Sequence, residues 1–316
     1  MRGGTCAGSR RRPCDRAFVT PLPARSGILH PLATAVDASI WRAALPVHAR
    51  IGTGAAAMLE CTALENLLRR DRRVIALGLA ATVGLSWAYQ LYMAFAMRRG
   101  RPTAMLMPDM RVWSTWDLLV LFVMWVVMMV AMMTPSVAPT VLVFAAIHRS
   151  RRAQRGPFVA TGVFLLGYLA VWVAFSLVAT LVQRQLHAAA LVSTAMAATS
   201  PLLAGALLLA GGAFQWTPWK QACLAHCSSP RGFVLTHWRE GTAGAFRVGL
   251  AHGTYCLGCC AMLMSLLFVN GVMNISWMAV LTAFVLVEKL VPARGWTSRL
   301  SGLALCVWGG WMLLSQ

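Results

Sequence analysis

Four side chains able to ligate a soft metal, His252, Cys256, Cys259 and Cys260, fall within a single apolar run at 246–269. A helix turns about 100° per residue, so His252, Cys256 and Cys259 lie within roughly 60° of one another, with Cys260 at the edge of their stripe. An imidazole and three thiols in a run of membrane-spanning length are unlike a lipid-facing surface. They point instead to a ligand site turned toward other helices. Thiolates prefer Cu(I), with Zn(II) as the second choice.

Two methionine groups and one loop add to this chemistry. In MWVVMMVAMMTPSVAP, Met124, Met128 and Met132 repeat at i, i+4 and i+8, and Pro135 and Pro139 project to nearly the same side. Each proline removes a helical donor, so a kink or break is expected there. A methionine stripe at this spacing is an adaptable core filler or a row of thioether ligands. At about 1.5 Å per residue, its members reach the same depths in a bilayer as Cys260, Cys256 and His252. A facing pair of helices would therefore bring the two sets together. In PTAMLMPDM, Met105, Met107 and Met110 flank Asp109 and suit external Cu(I) capture, or a loop folded on the membrane surface. In TPWKQACLAHCSSP, Cys223 and Cys227 share a face at i, i+4, with His226 between them, on a segment that Thr217 and Pro218 are suited to start. This is a second metal station or an interfacial helix with incidental thiols.

The elements that position these residues are membrane helices. Hydrophobic residues are 59% of the chain, charged residues 12%, and mean hydropathy is +0.66, which is the balance of an integral membrane protein. Apolar runs at 74–97, 118–147, 158–183, 188–214, 246–269, 271–291 and 298–314 predict an all-α polytopic bundle of about seven helices. Residues 58–316 form this membrane domain, with a cytoplasmic loop at 215–244. Residues 1–57 read as a disordered tail, or as sequence ahead of a true start at Met58. The net charge of +19 sits at helix ends and in loops without aromatic interleaving, so it marks topology rather than nucleic-acid binding. Arg69, Arg70, Arg72, Arg73, Arg149, Arg151, Arg152, Lys220 and Lys289 fall on one side, placing the N-terminus in the cytoplasm and the C-terminus outside.

No paired carboxylates, serine or cysteine triad, or phosphate-binding glycine loop is visible, which points away from hydrolytic or ATP-driven activity. Glu288 is an intramembrane carboxylate, read either as functional or as an interfacial pair with Lys289. Asn274 and Trp277 are candidates for bonds between helices. Nine cysteines in this setting are free thiols or metal thiolates rather than a disulfide framework.

The blocks LLRRDR, MWVVMMVAMMTPSVAP, QWTPWKQACLAHCSSP and the stretch from AFRVGLAHGTYCLGCC to VEKLVP resemble a bacterial family of predicted metal-binding integral membrane proteins, domain of unknown function 2182. The resemblance runs from residue 59 to the C-terminus. Its matching positions are Met128, Met129, Met132, Met133, Cys223, Cys227, His252, Cys256, Cys259, Cys260, Asn274 and Glu288. It implies a bacterial inner-membrane protein with a metal function, sometimes labelled copper chaperone, that meets a metal-donating or metal-accepting protein. Two other readings stay open: a thiol-disulfide oxidoreductase using Cys223/Cys227 and Cys256/Cys259, and a permease or scaffold without metal.

Overall fold

A computed structural model describes residues 54–98, 114–151, 158–193, 196–291 and 296–315. Two compact units divide the chain, Met1–Arg69 and Arg70–Gln316, and the candidate residues that are described lie in the second. The tail at 1–53 and Met105, Met107 and Met110 lie outside the described residues.

The described chain is helical: α1 (Gly54–Arg98), α2 (Thr115–Arg151), α3 (Phe158–Ala188), α4 (Pro201–Gln215), α5 (Pro218–Ser228), α6 (Pro230–Thr236), α7 (Gly241–Ser265), α8 (Leu267–Asn270), α9 (Ile275–Leu290) and α10 (Trp296–Leu314). Among the described residues, four helical stretches are long and apolar enough to cross a membrane: Arg69–Ala96, Thr115–Arg151, Phe158–Ala188 and Gly241–Asn270. The other three expected runs form shorter helices. At 15 residues α4 spans about 22 Å against a hydrocarbon core of about 30 Å. Its start is set by Ser200, whose side chain accepts from the Leu203 amide, and by Pro201 in the first turn. The segment expected as a loop at 215–244 carries α5 and α6. Thr217 caps α5 by accepting from the Lys220 amide, and Pro218 again occupies the first turn.

Where a kink or break was expected in α2, no break occurs; the helix is continuous through Pro135 and Pro139. A proline at 135 leaves the Ala131 carbonyl without its helical donor. The Trp87 indole of α1 donates to that oxygen at 3.2 Å, so the backbone group is satisfied and the helix continues.

The centre of the molecule is the packing of α3 on α7. Gly249 lies directly against the Phe164 carbonyl, Gly167 against the Phe246 carbonyl, and Gly253 against Tyr168 and Val171. The absence of side chains at these positions lets the two backbones approach, as small residues four apart do between membrane helices. α5 packs on another face of α7, and α9 reaches both α2 and α7. Cys256 is thus surrounded by α2, α3, α5 and α9.

Candidate functional site

Four thiols from two helices meet in the interior. Cys256, Cys259 and Cys260 on α7 and Cys227 on α5 are all buried. Cys259 Sγ stands 3.3 Å from Cys260 Sγ and 4.0 Å from Cys227 Sγ, and donates to the Cys256 carbonyl at 3.1 Å. Cys223, one turn before Cys227, faces the same helix: its sulfur lies over Gly258, where a Cβ would clash with it. Burial pushes the Cys223 thiol up, so it stays protonated and a poor nucleophile near neutral pH. Cys223, Cys227, Cys256, Cys259, Cys260 and Cys306 are free thiols.

Cys256 is the most elaborately contacted of the group. Lys289 of α9 donates to its sulfur at 2.9 Å and to Ser136 Oγ at 3.0 Å. Tyr168 of α3 shares a hydrogen bond with the same sulfur at 3.1 Å and donates to the Met133 carbonyl at 3.2 Å. An ammonium and a phenol therefore bridge the thiol helix to α2. Met124, Met128 and Met132 are buried on α2 as their stripe predicts. The hydrogen-bonded links from α2 to the thiols nevertheless run through Met133, the residue after Met132, and Ser136, one turn beyond Met132.

His252 is 2% exposed, among the rings of Phe164, Tyr168 and Phe233. Its Nδ1 is buried without a hydrogen-bond partner. A buried polar atom left in this state costs on the order of 1–3 kcal/mol unless something satisfies it. Among the described residues, no group of three or more His, Cys, Asp or Glu side chains is arranged so that it could hold a metal ion.

Glu288 and Lys289 do not form the interfacial pair expected from their adjacency. Glu288 is buried, takes Lys220 Nζ at 2.8 and 2.9 Å and Ser298 Oγ at 2.7 Å, and Lys220 also donates to Gln215. Lys220 was read as a loop charge and Lys289 as a charge at a helix end, yet both are buried, because each has found a partner that removes the cost of burying it alone. Asn274 caps α9: its side chain accepts from the Trp277 amide. The Trp277 indole makes the longer link, to the Leu266 carbonyl at 2.8 Å.

Sequence reasoning passed over Tyr168, Ser136, Lys289 and the Lys220–Glu288 pair as parts of this interior. Charge within an apolar run was the available signal for Lys289, whereas Lys220 lies between the runs. For Tyr168 and Ser136 no pattern distinguishes them from packing residues.

The family model described as PpoB2, copper chaperone, matches residues 122–312. The chain belongs to that copper chaperone family. The matched span includes Cys227, His252, Cys256, Cys259, Cys260 and Lys289. No curated protein and no solved structure matches the chain.

Proposed function

We propose that this member of the copper chaperone family carries Cu(I) within a membrane, with the ion as cargo between α5 and α7 on Cys227, Cys256, Cys259 and Cys260, and His252 as a further ligand. The observation that carries this reading is the convergence of thiols from two helices on one buried place. Thiolates sharing one ion at about 2.3 Å stand about 3.8 Å apart, and the sulfur separations of 3.3 and 4.0 Å lie on either side of that value. The unpartnered His252 Nδ1 supplies a donor that an ion would satisfy.

Soft thiolate and thioether ligands suit Cu(I). Glu288 neutralises Lys220, which leaves the Lys289 ammonium against Cys256, where it offsets part of the thiolate charge. In this reading Met124, Met128 and Met132 are candidate thioether ligands on α2, and Met105, Met107 and Met110 a capture segment on the external side. Residues exposed to more than half their area, such as Leu77 and Leu85 on α1 and Val159 and Leu166 on α3, support lipid contact on these two span-length helices. The proposed location is a bacterial inner membrane, N-terminus cytoplasmic and C-terminus external, where the chain exchanges copper with a partner protein.

Anaerobic Cu(I) titration of the purified chain against a competing chelator tests the site. Wild type is expected to retain copper, while Cys256→Ser with Cys259→Ser loses it and His252→Ala binds at least tenfold more weakly, in line with one lost ligand. Equal copper retention in all three excludes the thiol site. The 4.0 Å approach of Cys227 to Cys259 also favours a second reading, thiol-disulfide exchange. That reading predicts a mixed disulfide trapped by Cys259→Ser and no copper dependence.

A further inference from the structure

We infer that His226 and His237 form a separate metal-ion site on the aqueous flank of α5 and α6, the point at which Cu(I) is received or released. Neither ring belongs to the thiol cluster: His226 is exposed and His237 half-buried, on helices outside the four span-length stretches.

The two imidazoles are held for ligation. His226 Nδ1 lies 2.8 Å from the Ala222 carbonyl, and His237 Nδ1 lies 3.1 Å from the Phe233 carbonyl. A carbonyl oxygen only accepts, so each contact is a hydrogen bond when the ring nitrogen carries the proton; Thr236 Oγ1, 3.0 Å from His237 Nδ1, can donate to that nitrogen instead. With the proton at Nδ1 the lone pair is at Nε2, the second-shell arrangement that prepares a histidine for a metal. Stacking holds both rings: His226 lies parallel to Tyr255 at 4.3 Å between centroids, and His237 lies on Phe233 at 4.4 Å.

Their separation is also suitable. With a metal–nitrogen bond of about 2 Å, and ring centres a little over an ångström behind the nitrogens, two imidazoles on one ion have centres about 5–6.5 Å apart. The His226 and His237 centroids are 6.4 Å apart, the end of that range that suits two-coordinate, nearly linear binding. Cu(I) accepts so few ligands, and imidazole is among its ligand types.

Position connects this pair with the interior. His226 precedes Cys227, and its stacking partner Tyr255 precedes Cys256. One contact between α5 and α7 therefore has an imidazole on its aqueous side and thiols on its buried side. Phe233 stands between the His237 ring and the His252 ring, at 4.4 and 4.8 Å. The softer thiols bind Cu(I) more strongly than two imidazoles, so an ion at the pair is held for exchange. This role as an exchange point rests on the thiol reading above, whereas the two-histidine site does not.

The test uses the full chain in detergent with Cu(I) under anaerobic conditions. Equivalents bound are counted, and the ligating atoms are read by X-ray absorption, for wild type, for H226Q/H237Q, for H226Q alone, and for a variant with serine at 227, 256, 259 and 260. The inference expects both histidine variants to lose one equivalent with its nitrogen scattering, while the serine variant keeps that equivalent. Unchanged equivalents and nitrogen scattering in H226Q/H237Q overturn it, as does loss of all nitrogen-bound copper from the serine variant. Copper found on the histidines but never on sulfur upholds this site and rejects the thiol reading.

Discussion

Lys289 and Glu288 are neighbours in sequence and face different partners, because one helical step turns a side chain by about 100°. Lys289 meets Cys256 and Ser136, whereas Glu288 meets Lys220 and Ser298. Adjacency in the sequence suggested a pair, and helix geometry separates it. The buried Lys220–Glu288 bridge joins α5 to α9, and breaking a buried pair from one side leaves an unpaired charge. Glu288→Gln is expected to lower stability by about 3–5 kcal/mol, read from denaturant unfolding in detergent. Lys220→Met with Glu288→Leu should recover most of that loss, and a double variant as unstable as the single would show that the charges do more than compensate each other. The thiols themselves were legible, since type and spacing on one helix suffice to find them. Cys227 was legible as a ligand type but not as a neighbour of Cys259, which depends on where α5 docks.

At the scale of elements, the glycines of α7 determine how closely it approaches α3. GLAHG, from Gly249 to Gly253, is a small-xxx-small pattern visible in the sequence, although the thiols beside it attracted the reading. Gly249→Ala places a Cβ against the Phe164 carbonyl, so the helices must separate. A loss of about 1–3 kcal/mol is expected, together with weaker copper retention as Tyr168 withdraws from Cys256. Gly78→Ala on α1 meets nothing within 4 Å and should be neutral, or stabilising by up to about 1 kcal/mol through helix propensity. Thermal unfolding of the two variants side by side checks the contrast. The prolines of α2 carry a similar lesson. They remove helical donors, yet the helix stays continuous, and Trp87, more than forty positions away, donates to the carbonyl freed at Ala131. Trp87→Phe should cost about 1–3 kcal/mol by leaving the buried Ala131 carbonyl unsatisfied.

For the whole molecule, helical class and span-length apolarity follow from composition and run length, and the four longest stretches match them. The number of crossings is less direct, because α4, α9 and α10 are shorter and because Lys220 and Lys289, counted toward topology, are buried. A phosphatase reporter fused after Gln316 checks the proposed orientation. Activity outside the cytoplasm is expected from an odd number of crossings; an inactive fusion, with a cytoplasmic reporter active at the same place, would mean that the short helices do not all cross. By itself the sequence determined the local terms: helical periodicity, apolar length, the ligand types on α7 and the blocks that carry the family resemblance. The tertiary structure alone decided which groups meet. Cys227 against Cys259, Lys289 against Cys256 and the imidazoles of His226 and His237 are contacts between helices, and their distances depend on how small residues and buried charges let those helices dock, information that no single helix contains.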